Sequence, residues 1–202
     1  DSLQRGFKYY INYCVSCHEL GYARYERTAD DLEIPHDLAL ANLIFDGSLI
    51  GDLIQNSMST TDAESWFGAA PPDLTLAGRV HSPDWLYTYL RSFYNDESRP
   101  LGTNNTIYEN VGMPNVLYEL QGDVTRECDD HGEHCELHSA DNGLLSENEF
   151  DTAIADLTNF LYYVGEPVRD RRQSIGLWVL IFLGFLYILV FLMGKEFSKD
   201  YH

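Results

Sequence analysis

The sequence predicts an all-α domain followed by one membrane-spanning helix, because it contains two amphipathic patterns and one long apolar run. Near the N-terminus, Leu3, Phe7 and Ile11 recur every four residues, as they would on one face of a helix. Residues 146–149 match a capping box and open a second amphipathic helix. Residues 175–194 contain no charged side chain, and a helix of about 20 residues spans the hydrocarbon core of a bilayer.

Two shorter helices are predicted between these ends. Ser82 suits an N-cap and Pro83 suits the first helical position, so one helix begins there and ends near Asn95. The other is predicted around residues 37–45. Residues 95–116 are rich in asparagine, glycine and proline, and are predicted to form a loop.

The composition limits the classes of function. The chain has 202 residues, of which 45% are hydrophobic, enough to bury a core. Its formal net charge of -19 argues against a nucleic-acid partner, whose phosphates would repel it. The charge would attract a basic protein partner, although solubility alone explains it equally well. We expect one domain over residues 1–170 and a membrane anchor over residues 171–202.

A second cysteine pair lies in an acidic segment, residues 121–142, which is predicted to be a surface excursion, with a hairpin as its suggested form. A disulfide between Cys128 and Cys135 is the favoured interpretation, because a thiol pair outside the cytoplasm should oxidise. A zinc site is one alternative, since histidines lie close by, and two unpaired cysteines are another. The histidines of this segment are His131, His134 and His138.

The first cysteine pair indicates a cofactor. Cys14, Cys17 and His18 form the pattern Cys-x-x-Cys-His, which is typical of c-type haem attachment. Two thiols one helical turn apart can add to the two vinyl groups of one porphyrin, and the adjacent imidazole can bind the iron. A thioredoxin-like site or half of a zinc site is the alternative. Neither has support, because no βαβ pattern surrounds the motif and no second Cys-x-x-Cys exists. The sequence therefore predicts one covalent haem c.

The second axial ligand of such a haem is harder to predict. Met113 is favoured, because Gly112 lets the backbone approach closely and Pro114 stiffens the loop. A methionine–histidine pair would also raise the haem potential. Met58 is the second choice, and Met193 is excluded because it lies at the membrane end. The remaining candidates are His36, His81, His131, His134 and His138.

Several segments match one known family in order. They are residues 14–18, 24–27, 66–74, 84–94 and 113–117, followed by the single C-terminal anchor. Over these segments the chain resembles the cytochrome c1 family, the haem subunits of cytochrome bc1 complexes. The resemblance is to the bacterial branch, because residues 67–70 replace an asparagine-rich stretch that is usual in mitochondrial members.

The resemblance implies a class I cytochrome c-like haem domain and roles for particular residues. It implies His18 and Met113 as the axial ligands of the iron. It implies that Arg79 pairs with a haem propionate, for which a guanidinium is well suited. It also implies that Pro71 and Pro72 pack along the haem edge, although an ordinary turn is the better explanation from sequence alone.

The resemblance also implies a function and partners. The chain would accept an electron from the Rieske iron–sulfur protein and pass it to a c-type cytochrome. It would act beside cytochrome b in a dimeric multi-subunit complex, and would have no catalytic site of its own. An anchored mono-haem cytochrome subunit of another respiratory oxidase or reductase is the main alternative. A haem enzyme with an open sixth position is a weaker alternative, which carbon monoxide binding would reveal.

The expected location is a bacterial inner membrane, with the haem domain in the periplasm and the C-terminus in the cytoplasm. The N-terminus lacks the apolar run of a secretory signal, so we expect that such a signal has been removed. The positive-inside rule weakly favours the opposite orientation, but a leading signal would set the orientation first. The flanking cations are Arg169, Arg171 and Arg172 before the span and Lys195 and Lys199 after it.

Overall fold

The computed structural model describes residues 1–129 and 135–199, apart from the side chain of Asp170. The chain divides into two compact units, Asp1–Gly165 and Glu166–His202. The helices are α1 (Ser2–Tyr13), α2 (Tyr25–Asp31), α3 (His36–Asn42), α4 (Thr60–Phe67), α5 (Ala77–Val80), α6 (Pro83–Arg91), α7 (Tyr118–Gln121), α8 (Glu147–Gly165) and α9 (Arg169–Phe197). The strands are β1 (Leu20–Arg24), β2 (Leu53–Ile54), β3 (Phe93–Asn95), β4 (Thr103–Asn105), β5 (Val124–Cys128) and β6 (Cys135–Ser139).

The fold is mostly helical, but the all-α prediction is correct only in part. Three two-stranded antiparallel sheets pair β1 with β2, β3 with β4, and β5 with β6. Each strand has two to five residues, too few for a clear alternation of apolar and polar side chains. These pairings satisfy backbone donors and acceptors in the loops between helices, which is why loop-rich sequence can still form strands.

The core of the first unit forms where α1 packs against α8. Phe7 stacks on Phe160 with ring centroids 5.0 Å apart, and Tyr10 contacts the same ring at 5.8 Å. All three side chains are fully buried. The two backbones approach closely at Gly6, where an added Cβ would lie 2.6 Å from the Cβ of Phe160. The crossing of α1 and α8 therefore requires glycine at this position.

A buried carboxylate also joins these two helices. Asp156 of α8 is only 4% exposed, and Arg5 of α1 donates to both of its oxygens, at 2.5 and 3.0 Å. The Ser2 hydroxyl donates to the same carboxylate at 2.6 Å. Because a buried charge is costly unless it is paired and hydrogen-bonded, these contacts favour one register of α1 on α8.

Two further helices, α5 and α6, pack on α8. Gly78 of α5 lies so close that an added Cβ would be 2.7 Å from the Cα of Tyr162. On α6, the Arg91 Nε lies 2.6 Å from the Asp151 carboxylate of α8. Helix α8 is therefore the central element around which the other helices of the unit are arranged.

The predicted helix starts are confirmed. At the start of α8, the backbone N–H and hydroxyl of Ser146 donate to the Glu149 carboxylate at 3.0 and 2.7 Å. At the start of α6, the Ser82 hydroxyl accepts a hydrogen bond from the Trp85 N–H at 3.4 Å. The short helix predicted around residues 37–45 is α3.

The acidic segment contains a hairpin with a disulfide. Strands β5 and β6 pair from Val124 with Ser139 to Cys128 with Cys135, and the two cysteines are covalently joined. The predicted disulfide is confirmed, and the zinc alternative is wrong because neither sulfur remains a thiolate ligand. The other candidate ligands of this segment, His131 and His134, lie outside the described residues.

Alkylation followed by intact mass should distinguish the two cysteine pairs. No cysteine of the unreduced holoprotein should react, because Cys14 and Cys17 are expected to be bonded to haem and the other pair to be oxidised. After reduction, Cys128 and Cys135 should react, and the free energy of unfolding should fall by about 2 kcal/mol. Two reactive cysteines on an unreduced chain that carries the mass of the haem would contradict the disulfide. Two on a chain without that mass would contradict haem attachment, and four would contradict both.

The second unit consists mainly of α9. This helix has 29 residues, of which Arg171–Phe197 are long and apolar enough to cross a membrane by length and composition. At 1.5 Å per residue the whole helix is about 44 Å long, which exceeds the hydrocarbon core of a bilayer. It fits the single-pass anchor expected from the sequence, with the uncharged residues 175–194 in its middle.

Candidate functional site

The two free cysteines of the described chain lie at the end of α1. The N–H of Cys14 donates to the Tyr10 carbonyl at 2.9 Å, and the His18 N–H donates to the Cys14 carbonyl at 2.8 Å. Helix α1 therefore ends in a compact turn that contains the whole motif. Burial raises the pKa of the Cys14 thiol to about 12, while the Cys17 side chain is half-buried. The turn presents two thiols and an imidazole within five residues, from positions 14, 17 and 18.

The imidazole of His18 is held in one tautomer. Its Nδ1 lies 2.7 Å from the carbonyl oxygen of Pro72. Because a carbonyl can only accept a hydrogen bond, Nδ1 must carry the proton, and the lone pair is then on Nε2. Burial lowers the pKa of His18, which favours the neutral ring. A neutral imidazole with a free Nε2 is the form that binds a metal.

The Pro72 carbonyl is itself positioned by the residues that follow it. Asp73 Oδ1 accepts hydrogen bonds from the N–H and the hydroxyl of Thr75, at 2.7 and 2.6 Å. The N–H of Leu74 donates to the Glu19 carbonyl at 2.9 Å, which ties this segment to the residue after the motif. The proline-containing segment and the motif are therefore one hydrogen-bonded assembly.

Two more side chains hold the backbone of the motif. The buried Tyr10 hydroxyl donates to the His18 carbonyl at 2.7 Å. The Asn56 amide donates to the Cys17 carbonyl at 2.6 Å. A cleft of about 340 Å³ opens beside Asn56. Its lining includes Glu19, Asn56, Met58, Ala70 and Pro71. The second-choice ligand, Met58, thus faces a polar cleft.

Met113 lies in the predicted loop and contacts α6. The Tyr89 hydroxyl donates to the Met113 Sδ at 3.5 Å, and the Met113 side chain is partly buried. Burial raises the pKa of Tyr89 to about 12, so the hydroxyl keeps its proton at neutral pH. The thioether is therefore in contact with a fixed donor.

A fully buried asparagine shapes the loop that leads to Met113. The Asn105 amide donates to the Tyr89 carbonyl at 2.8 Å, and its Oδ1 accepts from the N–H groups of Ile107 and Tyr108, at 2.9 and 3.2 Å. Further along, the N–H of Asn110 donates to the side chain of Asn104 at 2.9 Å. The sequence indicated only that these asparagines lie in a loop. Their side chains in fact form the hydrogen bonds that hold the loop together.

The remaining predicted site residues lie nearer the surface. Arg79, on α5, is exposed, and its guanidinium makes no hydrogen bond or ion pair with any residue in the described part of the chain. Pro72 is exposed and Pro71 is partly buried. An unpaired guanidinium remains available for an acidic group of a ligand.

The histidine candidates that the structure describes have other contacts. His36 Nε2 lies 2.7 Å from the Asp30 carboxylate, and His81 stacks on Trp85 with ring centroids 4.4 Å apart. His138 lies on the exposed side of β6. His131 and His134 fall outside the described residues.

The donor groups of the motif and of the Met113 loop fit a covalently attached haem by their chemistry. Two thiols free of the disulfide, a neutral imidazole with one nitrogen available, and a thioether in a preformed loop are the groups that such a cofactor needs. Sequence reasoning found these groups but missed Tyr10, Asn56, Tyr89 and Asn105. None of the four carries a motif signal in the sequence.

Comparison with known proteins indicates one family. The model of the Cytochrome C1 family matches residues 49–201. Cytochrome c1 of Allochromatium vinosum is 49% identical over 207 residues, covering 100% of this chain and 85% of that protein. The ammonia monooxygenase gamma subunit of Nitrosomonas europaea is 40% identical over 202 residues, covering 100% and 84%. The mitochondrial cytochrome c1 haem protein of Kluyveromyces lactis is 25% identical over 217 residues, covering 93% and 67%.

These matches confirm the resemblance drawn from the sequence, including its bacterial character. One relative spans the whole chain at 49% identity, and the family model covers more than half of it. The chain belongs to the cytochrome c1 family, whose members carry one covalently bound haem c and serve as the electron-transfer haem subunit of the bc1 complex.

Proposed function

We propose that this chain holds its haem through thioether bonds to Cys14 and Cys17, with His18 and Met113 as the axial ligands of the iron. In this role it accepts an electron from a Rieske iron–sulfur protein and passes it to a c-type cytochrome. The observation that carries the proposal is the hydrogen bond of 2.7 Å between His18 Nδ1 and the Pro72 carbonyl, next to two free thiols. Together they match a metal-binding imidazole beside a covalent attachment point.

The haem supplies one-electron redox chemistry when bound, and the chain determines how easily the electron leaves. The Pro72 carbonyl accepts a hydrogen bond from the Nδ1–H of His18, which orients the ring and makes Nε2 a stronger donor. Burial of His18 keeps water from the imidazole. The Asn56 and Tyr10 hydrogen bonds keep the backbone of the motif from moving.

Met113 is the preferred second axial ligand because hydrogen bonds hold its loop in place before the haem binds. A thioether is a weak donor, so a loop that had to become ordered would lose much of the binding free energy to conformational entropy. Here Asn105 and Asn104 fix the loop backbone by hydrogen bonds to three N–H groups. A methionine–histidine pair raises the potential of the iron, which suits an acceptor from an iron–sulfur centre.

Arg79 and Pro72 have supporting roles in the proposal. The Arg79 guanidinium, unpaired within the described residues, would neutralise a haem propionate. The Pro72 ring would cover the haem edge, while its carbonyl orients His18. Both roles rest on exposed side chains, and each is independent of the ligand assignment.

The charge of the chain suits a basic electron acceptor. With a formal net charge of -19, the protein attracts a cationic partner over distances comparable to the Debye length, about 8 Å at physiological ionic strength. Such attraction increases the rate of encounter without a large buried interface. A basic c-type cytochrome is therefore the acceptor that the charge favours.

We place the haem domain outside the cytoplasm of a bacterial inner membrane, with α9 as a single anchor and the C-terminus inside. The disulfide between Cys128 and Cys135 supports this orientation, because disulfides persist in oxidising compartments and are rare in the cytoplasm. The anchor would hold the domain beside cytochrome b and the Rieske protein in a dimeric complex.

Purification of the native complex tests the proposal. The chain should copurify with a multi-span cytochrome b and a Rieske protein, and should keep its colour after extraction with acidified acetone. A pyridine haemochrome spectrum should show one haem c per chain. Quinol should reduce this haem only while the Rieske protein is present.

The outcomes separate the proposal from its alternative. Copurification with a different oxidase or reductase, with quinol-independent reduction, would support an anchored cytochrome subunit of another complex. A colourless polypeptide after extraction would contradict covalent attachment at Cys14 and Cys17.

A further inference from the structure

The Tyr89 side chain is held by aromatic rings on two sides. Its ring stacks on Trp85, with centroids 4.9 Å apart and planes 8° from parallel. Phe93 meets it edge-on at 5.3 Å. Trp85 is itself stacked on His81. This packing leaves the ring little freedom to swing, so the direction of its hydroxyl is set by the α6 backbone and its neighbours.

The same residue also fixes the loop to which the hydroxyl points. The carbonyl of Tyr89 accepts the Asn105 amide at 2.8 Å, and Asn105 organises the first turn of the loop. The hydroxyl donates to the Met113 sulfur at 3.5 Å, 24 residues away in sequence. The backbone carbonyl and the side-chain hydroxyl of Tyr89 therefore both contact the same loop. These two contacts together fix the distance between the hydroxyl and the Met113 sulfur.

We infer that Tyr89 is a positioning residue that raises the haem potential by donating a hydrogen bond to the Met113 sulfur. The inference deepens the proposed function and rests on its assignment of Met113 as a ligand. The O–H group draws electron density from a sulfur lone pair, so the sulfur becomes a weaker donor. Because ferric iron gains more from a strong donor than ferrous iron does, Tyr89 favours the reduced state.

A purely structural role for Tyr89 makes a different prediction. If the ring served only to pack against Trp85 and Phe93, removal of the hydroxyl would leave the potential unchanged. The change Tyr89→Phe isolates the two roles, because it keeps the ring and both aromatic contacts and removes only the donor. The oxygen that is lost has one partner in the described residues, the Met113 sulfur.

The test is a redox titration of the purified complex carrying Tyr89→Phe. At a fixed ambient potential near the wild-type midpoint, the ratio of ferrous to ferric haem should fall about two- to tenfold, the range that corresponds to one hydrogen bond. The ferric absorption band for charge transfer between sulfur and iron should remain, and the thermal midpoint should stay close to that of the wild type. Tyr87→Phe is the matched control, because Tyr87 lies on the same helix and its ring contacts Arg91 instead.

Each outcome decides a separate point. An unchanged ratio in Tyr89→Phe would overturn the inference and leave the ligation by Met113 standing. An equal fall in the ratio of ferrous to ferric haem in Tyr87→Phe would also overturn the inference, because the ratio would then respond to any substitution on α6. Absence of the sulfur band from the wild-type protein would contradict the ligation itself, and the inference with it.

Discussion

Replacement of Met113 by leucine is expected to lower the haem midpoint potential by on the order of 0.1 V, within the span of about 0.8 V that axial ligands control. Leucine has a similar volume but offers no lone pair, so water or another residue would occupy the sixth position. A fall of about 0.1 V changes the ferrous to ferric ratio by about 50-fold, since tenfold corresponds to about 59 mV for one electron. Redox titration of the purified complex measures this change in the midpoint potential.

The same variant should keep its haem. Cys14 and Cys17 remain, so the colour should stay with the polypeptide after acidified acetone. Reduction of the haem by quinol should become less complete, because a haem of lower potential accepts an electron less readily. Met58→Leu is the matched control, because Met58 lines the polar cleft beside Asn56. A fall in potential in Met58→Leu, with none in Met113→Leu, would show that Met58 is the axial ligand and Met113 is not.

Introduction of alanine at Gly6 is expected to destabilise the haem domain by about 2 kcal/mol. The new Cβ would overlap the carbonyl oxygen of Asp156 and lie 2.6 Å from the Cβ of Phe160. Alanine favours a helix over glycine by about 1 kcal/mol, but overpacking at a rigid crossing costs about 1–3 kcal/mol and sometimes more. The steric cost dominates here, because one of the two clashing atoms belongs to the backbone of α8.

Denaturant unfolding of the full chain in detergent measures this loss of stability. The matched control is Gly51→Ala, where an added Cβ meets only a carboxylate oxygen of Glu26, at 3.9 Å. The control should change the free energy of unfolding by less than about 0.5 kcal/mol, as is usual for surface substitutions. Equal stability of Gly6→Ala and wild type would contradict the close packing of α1 and α8.

The haem motif and the helix starts could be predicted because each is contained in a few consecutive residues. Attachment needs two thiols and an imidazole at fixed spacing, and such spacing is visible in any sequence. The capping box at Ser146 is equally local, since its hydrogen bonds join residues three apart. The short strands β1 to β4 were missed because they depend on backbone pairing, to which side-chain patterns contribute little.

The cofactor chemistry, the disulfide and the apolar helix could be predicted from the residues alone, because thiol spacing and hydropathy are properties of short segments. The carbonyl that orients His18, the donor that contacts Met113 and the crossing of α1 and α8 became known from the folded structure. These contacts join residues 54, 24 and 151 positions apart. Their partners are a backbone carbonyl, a tyrosine among 14 in the chain and an aspartate, and none of these differs in sequence from a residue without such a role. Packing alone brings them together, so their roles appear only once the chain is folded.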